Sequence, residues 1–237
     1  MIIGINGKIG SGKDTIGGII QYLTSDYKDK YDYKNWIDRI ENHGSNTYSP
    51  WEIKKFAGKL KQTASLLTGI PIEMFEDQEF KKTELAKDWN YFPIIGYGHR
   101  NVPVYGEPEQ PMLVREFLQK LGTEAMRDGL HTNVWVNALF ADYRNFHTDK
   151  FSVRQGINEP EYPNWIITDM RFPNEMEAVE LREGITIRVV RPGTTVGTHP
   201  SETALDDAEF DYEIINDGYI ADLIDKVIDI LTLEKLI

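Results

Sequence analysis

An α/β fold, with a mostly parallel sheet of about five strands and helices on both faces, follows from three observations. Short apolar runs alternate with segments of helical period, most cleanly over the last third of the chain. A glycine-rich segment, residues 7–15, separates the first apolar run from the first helical stripe. The 237 residues, 41% hydrophobic, suffice to bury a sizeable core in one large domain, residues 1–237, carrying insertions. Parallel strands buried on both faces read as continuous apolar runs, and the helices that join them cross over right-handed.

Residues 1–6 form the first strand. Ile16, Ile19, Ile20 and Leu23 then fall at spacings of 3, 1 and 3, one stripe of a helix over residues 15–23. Residues 24–50 are polar, and Asp26, Asp29 and Asp32 between Tyr27, Lys28, Lys30, Tyr31 and Lys34 favour a solvated face over a basic-aromatic surface. Ser49-Pro50-Trp51-Glu52 matches a capping box with proline at the first helical position, against a rival strand over residues 51–56. A helix over residues 59–67 stops at Gly69 and Pro71. Prolines and glycines among aromatics over residues 89–111 indicate a hairpin or flap. Helices follow near 114–128 and 133–144, then strand 165–168, helix 174–182, strands 185–190 and 212–215, and a terminal helix over 220–236. Residues 24–50 and 84–112 read as insertions.

Composition narrows the function. No apolar run reaches 18 residues, and the start MIIGING lacks the basic stretch and cleavage site of a signal peptide, so neither a membrane span nor export is expected and the location is read as cytoplasmic. Zero cysteines exclude disulfides, thiolate metal sites and a cysteine nucleophile. A formal charge of −12 opposes stable binding of long nucleic acid, which needs many cations on phosphates. A small phosphorylated ligand needs only a few.

Gly7-Lys8-Ile9-Gly10-Ser11-Gly12-Lys13-Asp14-Thr15 supplies the cations and the fold for such a ligand. It carries the Gly-x4-Gly-Lys of a P-loop directly after a strand and before a helix. Glycines let backbone amides converge on phosphate oxygens at the positive end of the helix dipole, and Lys13 adds charge near the β- and γ-phosphates. Asp14 departs from the pattern, which places there the Ser or Thr that ligates magnesium. An aspartate beside triphosphate is repulsive unless it faces the metal or turns away to cap the helix.

Three other groups carry chemistry. Asp169 ends an apolar strand, at the sheet edge where open α/β folds bind ligands, with Arg171 and Glu175 close behind; with Asn174 it could equally cap the next helix. Arg115, Gln119 and Gly122 share a helical face that Thr123, Glu124 and Arg127 continue, either an acceptor site with arginines for phosphate or a salt-bridged solvent face. Asn216-Asp217-Gly218 makes the turn into the last helix, where Asn216 could also contact the donor's base. His99, His131, His147 and His199 share no metal-ligand spacing and read as loop or surface residues.

Taken in order, GKIGSGKDT, REFLQKLGTEAMR, WIITDMRFPNEMEA, RVVRPG and THPSE resemble the deoxynucleoside monophosphate kinases of tailed bacteriophages over most of the chain. The resemblance implies a P-loop kinase-like fold with inserted lid and substrate segments, and transfer of the terminal phosphoryl of ATP, with magnesium, to a deoxynucleoside monophosphate. It also makes the Asp-Thr ending of the loop a family-like feature. By motif, residues 10–15 bind the ATP phosphates, and Leu60, Lys61 and Lys81 meet the monophosphate. Lysine at 81 keeps the charge of an arginine without its bidentate fork. Gly122, Trp135, Asp169, Arg171 and Glu175 look substrate-facing, with Trp135 either stacking on the base or filling the core. The resemblance also favours the strand over residues 51–56 and suggests a homodimer. The expected mechanism is in-line transfer, with Lys13 and magnesium on the triphosphate, Arg127 and Arg171 on the acceptor phosphate, and a lid from residues 89–111 or 145–163. A kinase for another small phosphorylated acceptor, or an ATP-hydrolysing module, remains open at this point.

Overall fold

The computed structural model describes residues 1–43, 49–144, 161–194 and 203–237. Five strands form a wholly parallel sheet: β1 (Ile2–Gly7), β2 (Trp51–Lys54), β5 (Asn164–Ile167), β6 (Ile185–Val190) and β7 (Tyr212–Ile215), in the order β2-β5-β1-β6-β7. β1 is central, with Ile3 beside Ile166 of β5 on one side and Ile185 of β6 on the other. Because every strand runs the same way, all five carboxyl ends lie along one edge.

Alternation along the strands divides the core between the two faces. Ile3, Ile5 and Ile166 join Ile16, Ile19 and Ile20 of α1 (Lys13–Leu23) and Leu223, Val227 and Ile230 of α7 (Ile220–Leu233). Ile2, Trp165 and Ile167 turn to the other face, against Val136 and Leu139 of α5 (Val134–Phe140) and Met176 and Val179 of α6 (Pro173–Glu180). Helices thus cover both faces, as the apolar runs predict.

Within residues 24–50, whose internal structure the sequence leaves open, lies a helix, α2 (Tyr33–His43); Asp26, Lys28, Asp29, Lys30, Asp32 and Lys34 are exposed, as the solvated reading expects. Asp32 accepts from the Asn35 amide at 2.8 Å and caps α2, while Trp36, 3% exposed, packs into the core beside α1 with Ile37 and Ile40 at its margin. Ser49 also serves differently from its capping-box cue: its Oγ accepts from the Trp51 amide at 3.1 Å, a turn that leads into β2 rather than a helix.

Two compact units divide the chain: residues 1–56 with 136–237, and residues 57–135. The first contains the sheet. The second contains most of α3 (Phe56–Thr68), which starts three residues before the predicted helix, four 3-10 turns, an antiparallel hairpin of β3 (Ile94–Tyr97) and β4 (Pro103–Tyr105) that holds the last of those turns, and α4 (Val114–Gln119). Its own core gathers Ala64, Phe75, Leu85, Met112, Val114 and Phe117. The hairpin agrees with the reading of residues 89–111. The helix expected over 114–128 changes pitch at Lys120 and runs to Asp128 as a π-helix, so α-helical spacing does not carry the face of Arg115 and Gln119 through to Gly122 and Arg127. Among the described residues, no helix is long and apolar enough to cross a membrane.

Ile166, fully buried in the sheet, tests this core. Ile166→Ala should cost about 2–5 kcal/mol in urea unfolding. Leu181→Ala, at a side chain 75% exposed, should cost no more than about 0.5 kcal/mol.

Candidate active site

The loop after β1 is shaped by backbone that favours glycine. Gly10 and Gly12 have φ of 77° and 102°, in the left-handed region, and Gly12 stands immediately before α1. A Cβ on Gly12 would meet Asn216 Nδ2 at 2.6 Å, and one on Gly7 would meet the Val189 carbonyl at 2.6 Å. The first amides of α1 have no carbonyl of their own helix to bond, so they and the helix dipole favour an anion at this end. Ser11 Oγ is buried and is the one such side-chain polar atom without a hydrogen-bond partner among the described residues. Lys13 Nζ donates to the Lys8 carbonyl at 2.9 Å, which keeps the ammonium beside the loop.

Each of the other four strands ends in a residue that touches this loop. Lys55, after β2, places Nζ 2.9 Å from Asp14 Oδ1. Thr168, after β5, donates from Oγ1 to the same oxygen at 2.7 Å. Arg191, after β6, donates to the Gly10 carbonyl at 3.3 Å, and Asn216, after β7, to the Ser11 carbonyl at 2.8 Å. This is the position of ligand sites in open α/β sheets. Burial alone would push the Asp14 carboxyl up. The hydrogen bonds of Lys55 and Thr168, helped by the charges of Lys55 and Lys13, outweigh it and hold the group below its ordinary 3.8.

Asp169 and Glu175 lie behind that edge. Asp169, 8% exposed, accepts from the Phe56 amide at 2.8 Å and so caps the start of α3. Glu175, 3% exposed, accepts from the amides of Arg171 at 2.8 Å and Phe172 at 3.2 Å, fixing the backbone that carries Arg171. Lys55, Thr168 and Arg191 carry no role in the sequence reading. The signal available for each is its place one residue beyond a strand of the parallel sheet.

In the second unit, Leu60, Gly122 and Trp135 form one group. A Cβ on Gly122 would stand 2.9 Å from Leu60 Cδ2, and the Trp135 indole, 6% exposed, donates to the Gly122 carbonyl at 2.9 Å. The indole N–H is thus satisfied inside the protein. Lys61, Lys81 and Arg115 gather on the segment at 76–78: Lys61 Nζ lies 2.5 Å from Glu76 Oε1, Lys81 Nζ 3.5 Å from the Glu76 carbonyl, and Arg115 Nη2 3.4 Å from Gln78 Oε1. Arg127 lies near the end of the π-helix, half-buried.

The oxygen groups at the loop, the Asp14 carboxylate with the Ser11 and Thr15 hydroxyls, suit a hard cation such as magnesium carried in with phosphate. Among the described residues no group of three or more His, Asp or Glu side chains could hold a metal on its own. His147, His199, the THPSE segment and residues 145–160 of the second lid candidate lie outside the described residues.

A family model described as deoxynucleotide monophosphate kinase matches residues 75–227. The chain is 32% identical over 120 residues to the deoxynucleotide monophosphate kinase of Enterobacteria phage T4, covering 50% of this chain and 45% of that protein. It is 29% identical over 119 residues to the Escherichia phage RB69 protein of the same name, covering 50% and 44%. The deoxynucleoside-5'-monophosphate kinase of Escherichia phage T5 is 25% identical over 244 residues, covering 91% of this chain and 89% of its own length. The chain thus spans a little under half the length of the T4 and RB69 proteins in those matches.

Two outcomes check the loop geometry. Gly12→Ala forces a left-handed alanine against Asn216, a strain of about 1–2 kcal/mol that urea unfolding should show as lost stability; unchanged stability would contradict the loop geometry. The depressed Asp14 pKa means that its pairing contributes above the ordinary 3.8 and is lost as pH falls through the depressed value. Lys55→Met should therefore move the Asp14 midpoint upward in a carboxyl NMR titration, and a midpoint that stays put would remove Lys55 as its partner.

Proposed function

The chain belongs to the deoxynucleotide monophosphate kinase family, and from that membership we propose that it transfers the terminal phosphoryl group of ATP to a deoxynucleoside monophosphate. The observation that carries the reading is the meeting of all five strand ends at the 7–15 loop, with Lys13, Lys55 and Arg191 bringing positive charge to it. In this reading the loop amides and Lys13 hold the donor phosphates, and Asn216 braces the loop from the end of β7. Magnesium, when bound with ATP, neutralises charge on the β- and γ-phosphates.

An oxygen of the acceptor's phosphate attacks the γ-phosphorus in line. The bond from that phosphorus to the β,γ-bridging oxygen breaks, and ADP leaves with the electron pair as the deoxynucleoside diphosphate forms. The acceptor phosphate is already ionised, so no general base is required. What the protein must supply is charge and orientation. We assign Arg171, held by Glu175 through its backbone, and Arg127 to the phosphates in transfer. Lys61, Lys81 and Arg115 are assigned to the acceptor's phosphate, with Leu60, Gly122 and Trp135 forming the wall of its site. Asp169 acts from its buried position at the sheet edge. A net charge of −12 favours a small, locally gripped nucleotide over nucleic acid as partner.

ADP release measured with each of the four deoxynucleoside monophosphates in turn, and with none, tests the activity. Turnover that requires a deoxynucleoside monophosphate is expected, and acceptor-independent turnover would sink the kinase reading in favour of ATP hydrolysis. Lys13→Ala should lower kcat by about 100-fold or more with an unchanged circular dichroism spectrum.

A further inference from the structure

In P-loop enzymes the nucleotide's magnesium is held by a hydroxyl on the loop and a carboxylate on a strand. Here the strand-end carboxylate, Asp169, is tied to the Phe56 amide, and the contact with the loop is made by the hydroxyl just before it. Asp14 stands on the loop where the hydroxyl belongs, and Thr168 stands at the end of β5, the strand that pairs directly with β1. The two meet, Thr168 Oγ1 donating to Asp14 Oδ1 at 2.7 Å.

The local structure is arranged for that contact. Thr168 is 1% exposed, so its hydroxyl orientation is fixed by packing. A Cβ on Gly17 would come within 2.8 Å of Thr168 Cγ2, so glycine one turn into α1 is what lets the threonine approach the helix. The next residue, Asp169, caps α3 through the Phe56 amide and anchors the end of β5 from its other side. Lys55 reaches the same Asp14 oxygen at 2.9 Å and offsets the charge of the carboxylate. Both contacts fall on Oδ1, and Asp14 itself is largely exposed, its side chain at 69%.

We propose that Thr168 is the positioning residue that fixes Asp14 as the metal-facing oxygen donor of the loop. The assignment rests on the kinase reading only in requiring a magnesium-bearing nucleotide at the loop. Partners of this kind, one step behind a metal's own ligand, typically change metal affinity by about 10–100-fold when removed. A threonine serving packing alone would instead affect every ligand state equally.

The test is equilibrium binding of the β,γ-imido analogue of ATP by calorimetry, once with magnesium and once with chelator, and with no acceptor present. Thr168→Val keeps the shape and deletes the hydroxyl. It should weaken binding about tenfold with magnesium and leave the chelated titration within about twofold. Thr168→Ser should restore the magnesium-dependent gain. In an Asp14→Asn background, Thr168→Val should change nothing further, because the two act as one unit. Equal losses in both titrations, or none in either, would overturn the role of Thr168 while leaving the kinase reading standing. A wild-type protein that fails to bind the analogue would overturn both. Binding without acceptor-dependent ADP release would sink only the kinase reading.

Discussion

The pairing of β1 on both sides with parallel strands is the constraint on which the rest of the structure depends. Ile2, Ile3 and Ile5 are fully buried between two helical layers, so the strand has a fixed register and its exit at Gly7 has a fixed position. Because the neighbours run parallel, their own exits fall at the same edge, and Lys55, Thr168, Arg191 and Asn216 reach the loop without any long excursion of chain. An antiparallel neighbour would have put a strand start there instead. The site is thus a consequence of sheet direction before it is a consequence of any one side chain.

Charge at that edge is managed by mixture rather than by excess. The chain as a whole is strongly acidic, yet Lys8, Lys13, Lys55 and Arg191 cluster around the loop, with Lys8 also paired to Asp206. The carboxylates present there are each tied to a donor: Asp14 to a lysine and a threonine, Asp169 to the start of α3, Glu175 to two amides. A carboxylate so tied disturbs a phosphate less than a loose one, since its field is partly answered by the donor it holds. Glu175 and Asp169 also show how buried acids at such an edge can act through backbone, by setting where Arg171 and α3 begin.

Much of this was legible in the chain. The strands β6 and β7 fall on their expected bounds because each is a short apolar run closed by polar residues. Asn216-Asp217-Gly218 was legible as the turn from β7 into α7, whereas the donation of Asn216 to the Ser11 carbonyl was not. α2 was hidden by its charges, although Tyr33, Trp36, Ile37 and Ile40 repeat the 3, 1, 3 spacing of α1 and Asp32 stands at the cap. The π-helix was hidden because its change of pitch leaves no mark in the apolar spacing. Thr168 escaped notice for a different reason. Its role exists only beside Asp14, 154 residues away in the chain, and a threonine closing an apolar strand has no signature of its own.

In the proposed function the loop after β1 presents a terminal phosphoryl group for transfer to a monophosphate. Following the label of γ-phosphate-labelled ATP, in the presence of a deoxynucleoside monophosphate, tests it most directly. The account predicts that the label appears as the β-phosphate of the deoxynucleoside diphosphate. Label recovered as inorganic phosphate, with the monophosphate unchanged, would contradict it.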